Sequence, residues 1–144
     1  FSIVIDYAHT PDGLENILNA VKPQAGRVIP VFGCGGNRDR TKRPIMGEIA
    51  GRYGDMCIIT SDNPRFEEPL DIISEIETGM KKTGCPYIVI ENREKAIKYA
   101  ILNAKKGDII VIAGKGAEDY QEIKGVKYPF SDSDKVREIL AASF

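Results

Sequence analysis

The sequence predicts an α/β domain of Rossmann-like architecture, a mostly parallel sheet with helices on both faces. Short β-branched runs alternate along the chain with segments of helical period, and parallel neighbours need a crossover that is usually a helix. Each run is bounded by Gly, Pro or Asp, which punctuate strands. Ile3 to Ile5 forms the first strand. Thr10-Pro11 then supplies a side-chain cap followed by proline at the first helical position. Leu14, Ile17, Leu18 and Val21 put one apolar stripe on the helix that follows. Val28 to Phe32 is the next strand, and Met46, Ile49, Ala50 and Tyr53 mark the next helix. Cys57 to Thr60 precedes a helix that starts near Pro69 and turns Ile72, Ile73, Ile76 and Met80 inward. Ile88 to Ile90 precedes the stripe Ile97, Ala100, Ile101 and Ala104, and Ile109 to Ala113 is the most apolar strand. Ser131 followed by Asp134 resembles a capping box and opens the last helix.

At 144 residues the chain has the size of one domain, residues 1–144, long enough to bury a single core. The formal net charge of −1 removes the electrostatic reason to expect nucleic acid or an anionic lipid surface as partner. No apolar run has the length of a membrane span, so no membrane partner is expected. Cys34, Cys57 and Cys85 have neither the CxxC spacing of a zinc site nor an even number, which points to a reducing cytoplasm. Phe1 leads straight into the apolar run Ser2-Ile3-Val4-Ile5, the expectation being a domain excised from a longer chain.

In open parallel sheets ligands collect beyond the carboxyl ends of the strands, and polar clusters follow the predicted strands there. Asp6-Tyr7-Ala8-His9-Thr10-Pro11-Asp12-Gly13 contains the only histidine, yet alone it reads as a strand end and helix cap. Gly33-Cys34-Gly35-Gly36-Asn37-Arg38-Asp39-Arg40-Thr41-Lys42-Arg43-Pro44 combines glycines, which let the backbone turn tightly, with cations suited to an anionic group. The spacing is neither GxxxxGK[ST] nor GxGxxG. Arg38 stands nearest the strand end, whereas Arg40, Lys42 and Arg43 read mostly as a solvated basic loop. In Ser61-Asp62-Asn63-Pro64-Arg65 the guanidinium can hold a carboxylate through two parallel hydrogen bonds. In Ala113-Gly114-Lys115-Gly116-Ala117-Glu118 the glycines allow close backbone approach and Glu118 can accept from an ammonium. Arginine on one loop and glutamate on another complement a zwitterionic amino acid. The residues by themselves define a small polar ligand on an α/β rim.

DYAHTPDGL, VFGCGGNRDRTKRP, DNPR and AGKGAEDYQ, in that order, resemble the C-terminal domain of Mur ligases over nearly the whole chain. Asp62-Asn63-Pro64-Arg65 is similar to the motif by which members that add meso-diaminopimelate, the UDP-N-acetylmuramoyl-tripeptide synthetase type, recognise that amino acid. The resemblance implies that ATP with magnesium phosphorylates a carboxylate of UDP-N-acetylmuramoyl-L-alanyl-D-glutamate, and that the amine of meso-diaminopimelate attacks the acyl phosphate. It implies an amino-acid site of Arg38, Asp62, Asn63, Pro64, Arg65, Gly114 and Glu118, with Arg65 on the distal carboxylate and Glu118 on an ammonium. Asp6 and His9 resemble positions near the nucleotide. ATP and magnesium would be bound mainly by a central domain, and the UDP substrate by an N-terminal one, neither lying within these residues. No catalytic residue or metal ligand is then expected here, nor ligase activity from the chain alone. Ala117 stands where the family commonly has histidine, and Asn37 where aspartate is frequent. Other readings are a stand-alone module binding an amino acid or nucleotide, a structural or interaction domain, and a Mur ligase adding another residue, against which DNPR argues.

Overall fold

The computed structural model covers residues 1–144. Strands β1 (Ser2–Asp6), β2 (Arg27–Phe32), β3 (Cys57–Ile59), β4 (Tyr87–Val89) and β5 (Asp108–Ala113) form a five-stranded sheet in the order β1-β5-β2-β3-β4. All of its pairings are parallel. Helices α1 (Pro11–Val21), α2 (Lys42–Tyr53), α3 (Pro69–Met80), α4 (Arg93–Leu102) and α5 (Asp132–Ser143) cover it.

Side chains alternate across a strand, and the core divides accordingly. Val28, Phe32, Cys57, Ile59 and Val111 pack with Leu14 and Leu18 of α1, Met46 and Ile49 of α2, and Ile73 and Ile76 of α3. Ile29, Val31, Ile58, Ile110 and Ile112 pack with Ile97 and Ile101 of α4 and Val136 and Ile139 of α5. Thus α1, α2 and α3 lie on one face, and α4 and α5 on the other. The chain steps outward from β2 to β4 through α2 and α3. Helix α4 then carries it back across the opposite face to β5, which inserts between β1 and β2. That return makes β5 a central strand buried along its whole length, as its uninterrupted apolar run requires. α2 and α3 approach closely because Gly47 and Gly79 offer no side chain. A Cβ on Gly47 would lie 2.1 Å from the Ile76 carbonyl oxygen, and one on Gly79 would lie 1.7 Å from that of Pro44.

The expected caps are present. The Thr10 hydroxyl accepts from Gly13 N at 3.1 Å, and the Ser131 hydroxyl from Asp134 N at 3.2 Å. The reciprocal half of the box at Ser131 is not made, because the Asp134 carboxylate turns to Arg137. One element had no counterpart in the sequence reading, the antiparallel hairpin of β6 (Tyr120–Ile123) and β7 (Val126–Pro129). Lys124 and Gly125 join its strands with φ of 51° and 78°, the two positive values of a type I′ turn. Two short runs separated by a two-residue turn ending in glycine were the available signal.

A fully buried ion pair joins the two helices of the second face. Arg93, at the start of α4, donates from Nε and Nη2 to the two carboxylate oxygens of Asp132, at the start of α5, both at 2.8 Å. Its remaining bonds go to the carbonyl oxygens of Ser61 at 3.0 Å and Ala113 at 3.2 Å. Breaking a buried pair from one side leaves an uncompensated charge, which costs about 3–5 kcal/mol. Arg93→Met is therefore expected to lower the unfolding free energy in urea by about that amount, and Arg93→Met/Asp132→Leu to recover most of it. A double variant as unstable as the single one would show that the two carbonyl bonds, and not the charge pairing, carry the stability.

Candidate functional site

A cleft of about 470 Å³ opens at the carboxyl edge of the sheet. Tyr7, His9 and Thr10 line it from the loop after β1, Gly35, Arg38, Asp39 and Lys42 from that after β2, Asp62, Asn63 and Arg65 from that after β3, and Gly114, Glu118 and Tyr120 from that after β5. The four strands are neighbours in the sheet, so the sequence-predicted loops converge. Arg38, Asp62, Asn63, Arg65, Gly114, Glu118 and His9 meet there. Pro64 and Asp6 do not line the cleft. Pro64 is buried and borders the neighbouring cavity beside Gln121 and Ile123. The Asp6 carboxylate accepts from Ala8 N at 2.8 Å, and its carbonyl accepts from Gly114 N at 3.1 Å. Asp6 thus shapes the loop as a cap and does not face the cleft.

The residue that assembles the site is Lys115, which the sequence reading quoted only as part of a motif. It is fully buried. Its Nζ lies 3.1 Å from Asp62 Oδ1, 2.7 Å from Asn63 Oδ1, 3.0 Å from the Tyr120 carbonyl oxygen and 3.4 Å from Glu118 Oε1. A buried ammonium has to be surrounded by acceptors, and here the acceptors are the side chains of two functional loops. Asn63 is committed further, its Oδ1 accepting from Glu122 N at 3.0 Å. Glu118 keeps Oε2 free of partners within the chain, its contacts all being made through Oε1.

Arg65 is held by the hairpin. It has φ of 54°, a left-handed conformation that L residues other than glycine adopt at a cost. Its amide donates to the Glu122 carbonyl at 3.0 Å, and Lys124 N donates back to its carbonyl at 2.6 Å, in a one-residue parallel bridge to Ile123. Nε pairs with Glu122 Oε1 at 3.3 Å, and Nη1 donates to the Gly36 carbonyl at 3.0 Å. Nη2 makes no hydrogen bond within the chain and remains for a ligand. The glycines after β2 serve a different purpose from the tight turn expected of them, since none has positive φ. They admit the loop after β3: Gly36 N donates to the Asn63 carbonyl at 2.7 Å, and a Cβ on Gly36 would stand 1.9 Å from the Pro64 oxygen.

The cations of the loop after β2 divide. Arg38 is exposed and bonds only its neighbour's carbonyl, through Nη1. Lys42 Nζ donates to the His9 carbonyl at 2.8 Å, and the Tyr7 and His9 rings meet at a tilt of 42° with centroids 4.7 Å apart. Arg43 is fully buried, contrary to the solvated reading. It pairs with Glu67 at 2.7 Å and Glu75 at 2.9 Å, and donates to the Gly35 carbonyl at 2.9 Å, while its Nε has no partner. Glu67 also accepts from Asn37 N at 2.6 Å. One arginine therefore ties the glycine loop to the segment leading into α3. The Arg43 guanidinium holds the Glu67 carboxyl at about 2, down from its ordinary 4.5, and the Arg40 and Arg43 side chains hold Glu75 low as well.

Residues 1–116 match the family described as Mur ligase, glutamate ligase domain. The chain is 59% identical over 144 residues to the UDP-N-acetylmuramoyl-L-alanyl-D-glutamate--2,6-diaminopimelate ligase of Caldanaerobacter subterraneus subsp. tengcongensis, covering 99% of this chain and 30% of that protein. It is 58% identical over 141 residues to the protein of the same name from Aquifex aeolicus, covering 97% of this chain and 29% of that one. A solved structure of a ligase of that name superposes with a TM-score of 0.93 at 45% identity, over 97% of this chain and 29% of the other. The UDP-N-acetylmuramate-alanine ligase of Thermotoga maritima, 16% identical with a TM-score of 0.61 over 97% of this chain and 26% of the other, shares the fold. The chain spans about 30% of the length of the curated relatives it matches.

A carboxyl whose pKa is lower in the folded than in the unfolded state stabilises the fold above the unfolded value and loses that contribution as the pH falls. For Glu67 the window runs from about 4.5 down to about 2. The urea midpoint of the chain is expected to fall between pH 5 and pH 3, and to fall less in Glu67→Gln. Equal losses in the two proteins would place the acid sensitivity elsewhere.

Proposed function

The chain belongs to the Mur ligase family, through its glutamate ligase domain, and on that premise we propose that it is the amino-acid-binding part of a ligase joining meso-diaminopimelate to UDP-N-acetylmuramoyl-L-alanyl-D-glutamate. The observation that carries this reading is the pairing of unspent groups in one cleft. Arg65 keeps Nη2 free, Arg38 is nearly unengaged, and Glu118 keeps Oε2 free. Diaminopimelate bears an ammonium and a carboxylate at each end. Arg65 takes the distal carboxylate, Arg38 assists at the polar ends, Glu118 takes an ammonium, and Gly114 lets the ligand approach the backbone. Asp62 and Asn63, anchored on Lys115, act behind these groups and keep them in place.

Holding the amino acid by both ends presents its amine in one orientation, and such orientation contributes to rate by removing the search for geometry. When bound, ATP with magnesium activates the acceptor carboxylate for attack by that amine. The paired Tyr7 and His9 rings, with the Lys42 ammonium on the His9 carbonyl, fit the edge of an anionic nucleotide, so His9 is assigned to the nucleotide side. Asp6 supports that loop from behind. No group of three or more His, Cys, Asp or Glu side chains is placed to hold a metal ion; on the proposed reading, magnesium is bound with ATP mainly by a further domain. No helix is long and apolar enough to cross a membrane. A cytoplasmic ligase working on nucleotide-linked precursors, with the UDP-dipeptide and ATP held by further domains, accords with all of this.

Lysine lacks the distal carboxylate and would leave the Arg65 guanidinium unpaired in a closed site, a mismatch that can reach about 10⁴ in specificity. In the full-length ligase, amide formation is expected to favour meso-diaminopimelate strongly over L-lysine, and Arg65→Ala to erase most of that preference. Equal use of lysine by the unaltered enzyme would defeat the assignment of Arg65. The chain by itself is expected to release no phosphate from ATP in the presence of either amino acid, and clear turnover would refute its role as one part of the ligase.

A further inference from the structure

At the amino edge of the sheet, away from the cleft, two thiols face each other. Cys57 opens β3 and is fully buried, while Cys85 stands just before β4 and is partly exposed. Parallel pairing brings them together, since Cys57 N donates to the Pro86 carbonyl at 3.0 Å and Cys57 is in register with Tyr87. Their Sγ atoms are 3.8 Å apart and both thiols are free. A disulfide needs a separation of about 2.05 Å, so the sulfurs must close by less than ~2 Å. Gly84, next to Cys85, has φ of 71° with open space around it, so the segment before β4 has room to give.

We infer that Cys57 and Cys85 are a site of reversible oxidation, forming an intramolecular disulfide with hydrogen peroxide as the two-electron oxidant. The Cys85 thiolate attacks one peroxide oxygen, breaking the O–O bond, and leaves as a sulfenic acid with release of hydroxide. The Cys57 sulfur then attacks the Cys85 sulfur. Its proton leaves with the sulfenic oxygen as water, and the proton first lost by Cys85 neutralises the hydroxide. Two thiols and one peroxide become one disulfide and two waters. The roles follow from the surroundings. Cys85 is reachable from solvent, and its contact with the Cys57 sulfur holds its thiol below the ordinary range. That same contact, together with burial, holds Cys57 high, and its Sγ donates to the Ala50 carbonyl at 3.2 Å, so it resolves and does not initiate. Cys34 is a bystander: burial pushes its thiol up to about 12, and its sulfur rests 3.7 Å from the Met46 sulfur.

The bonded residues are 28 apart in sequence, and the ring they close contains α3 and the whole Asp62-Asn63-Pro64-Arg65 segment. Closing such a ring restricts the unfolded chain, which stabilises the fold. The test oxidises the fully reduced chain with hydrogen peroxide and counts free thiols in denaturant before and after, with peptide mapping under non-reducing conditions. A fall from three thiols to one, a single cross-linked pair joining Cys57 to Cys85, and a rise in melting temperature of roughly 5 °C or more that dithiothreitol reverses are expected. Cys85→Ser should give neither the cross-link nor the rise. Three surviving thiols, a bond to Cys34 or to a second chain, or a Cys85 oxidised to sulfinic acid without the cross-link would each overturn the inference.

Discussion

One buried guanidinium holds the cleft edge of this domain to its scaffold. Arg93 meets the Asp132 carboxylate on one side and the carbonyls of Ser61 and Ala113 on the other. Those carbonyls lie past the end of β3 and at the end of β5, and each belongs to the first residue of a polar cluster that lines the cleft. The next residues along, Asp62 and Gly114-Lys115, are joined in turn by the Lys115 ammonium. A line of polar contacts therefore runs from the helix layer, through the end of the sheet, to the floor of the cleft. Burying both cations has a desolvation cost that only complete pairing offsets, and the pairing here is nearly complete. What this arrangement supplies is position, since the loops cannot drift apart without exposing a charge to an apolar core.

A second device sits above the first. The hairpin of β6 and β7 lies beyond the residues that match the family, yet it governs the most exacting side chain in the cleft. It takes both backbone groups of Arg65, sets that residue in a left-handed conformation, and orients the guanidinium through Glu122. Strain of this kind persists where neighbouring structure over-determines it. The glycine loop completes the enclosure from the other side, with Gly35 and Gly36 close against Arg65 and Pro64.

The parts of this molecule written in local pattern were legible in the sequence. The Thr10 cap, the apolar stripes of α1 and α3, the unbroken strand β5 and the polar loops at one edge all follow from period and punctuation, and they led to Arg38, Arg65 and Glu118 sharing a cleft. What local pattern did not carry was the fate of buried charge. Arg43 and Lys115 look like any surface cation, because their partners Glu67 and Asp62 are distant in sequence and only the folded chain brings them near. The glycines before Arg38 suggest a tight turn by type alone, whereas their use is closeness. The hairpin escaped because β7 is exposed along its length and shows no inward alternation to detect.

The left-handed backbone at Arg65 bears on how such a domain changes its taste over evolutionary time. Most replacements at this position inherit an unfavourable backbone along with a lost guanidinium, and they leave Glu122 facing a gap. On the proposed reading, single-codon steps away from arginine lose recognition without relieving that backbone, and they remove the partner of Glu122. A lineage that acquires a different amino acid preference is expected to cross by exchanging the tetrapeptide together with the hairpin tip, as one cassette, and not by walking residue by residue.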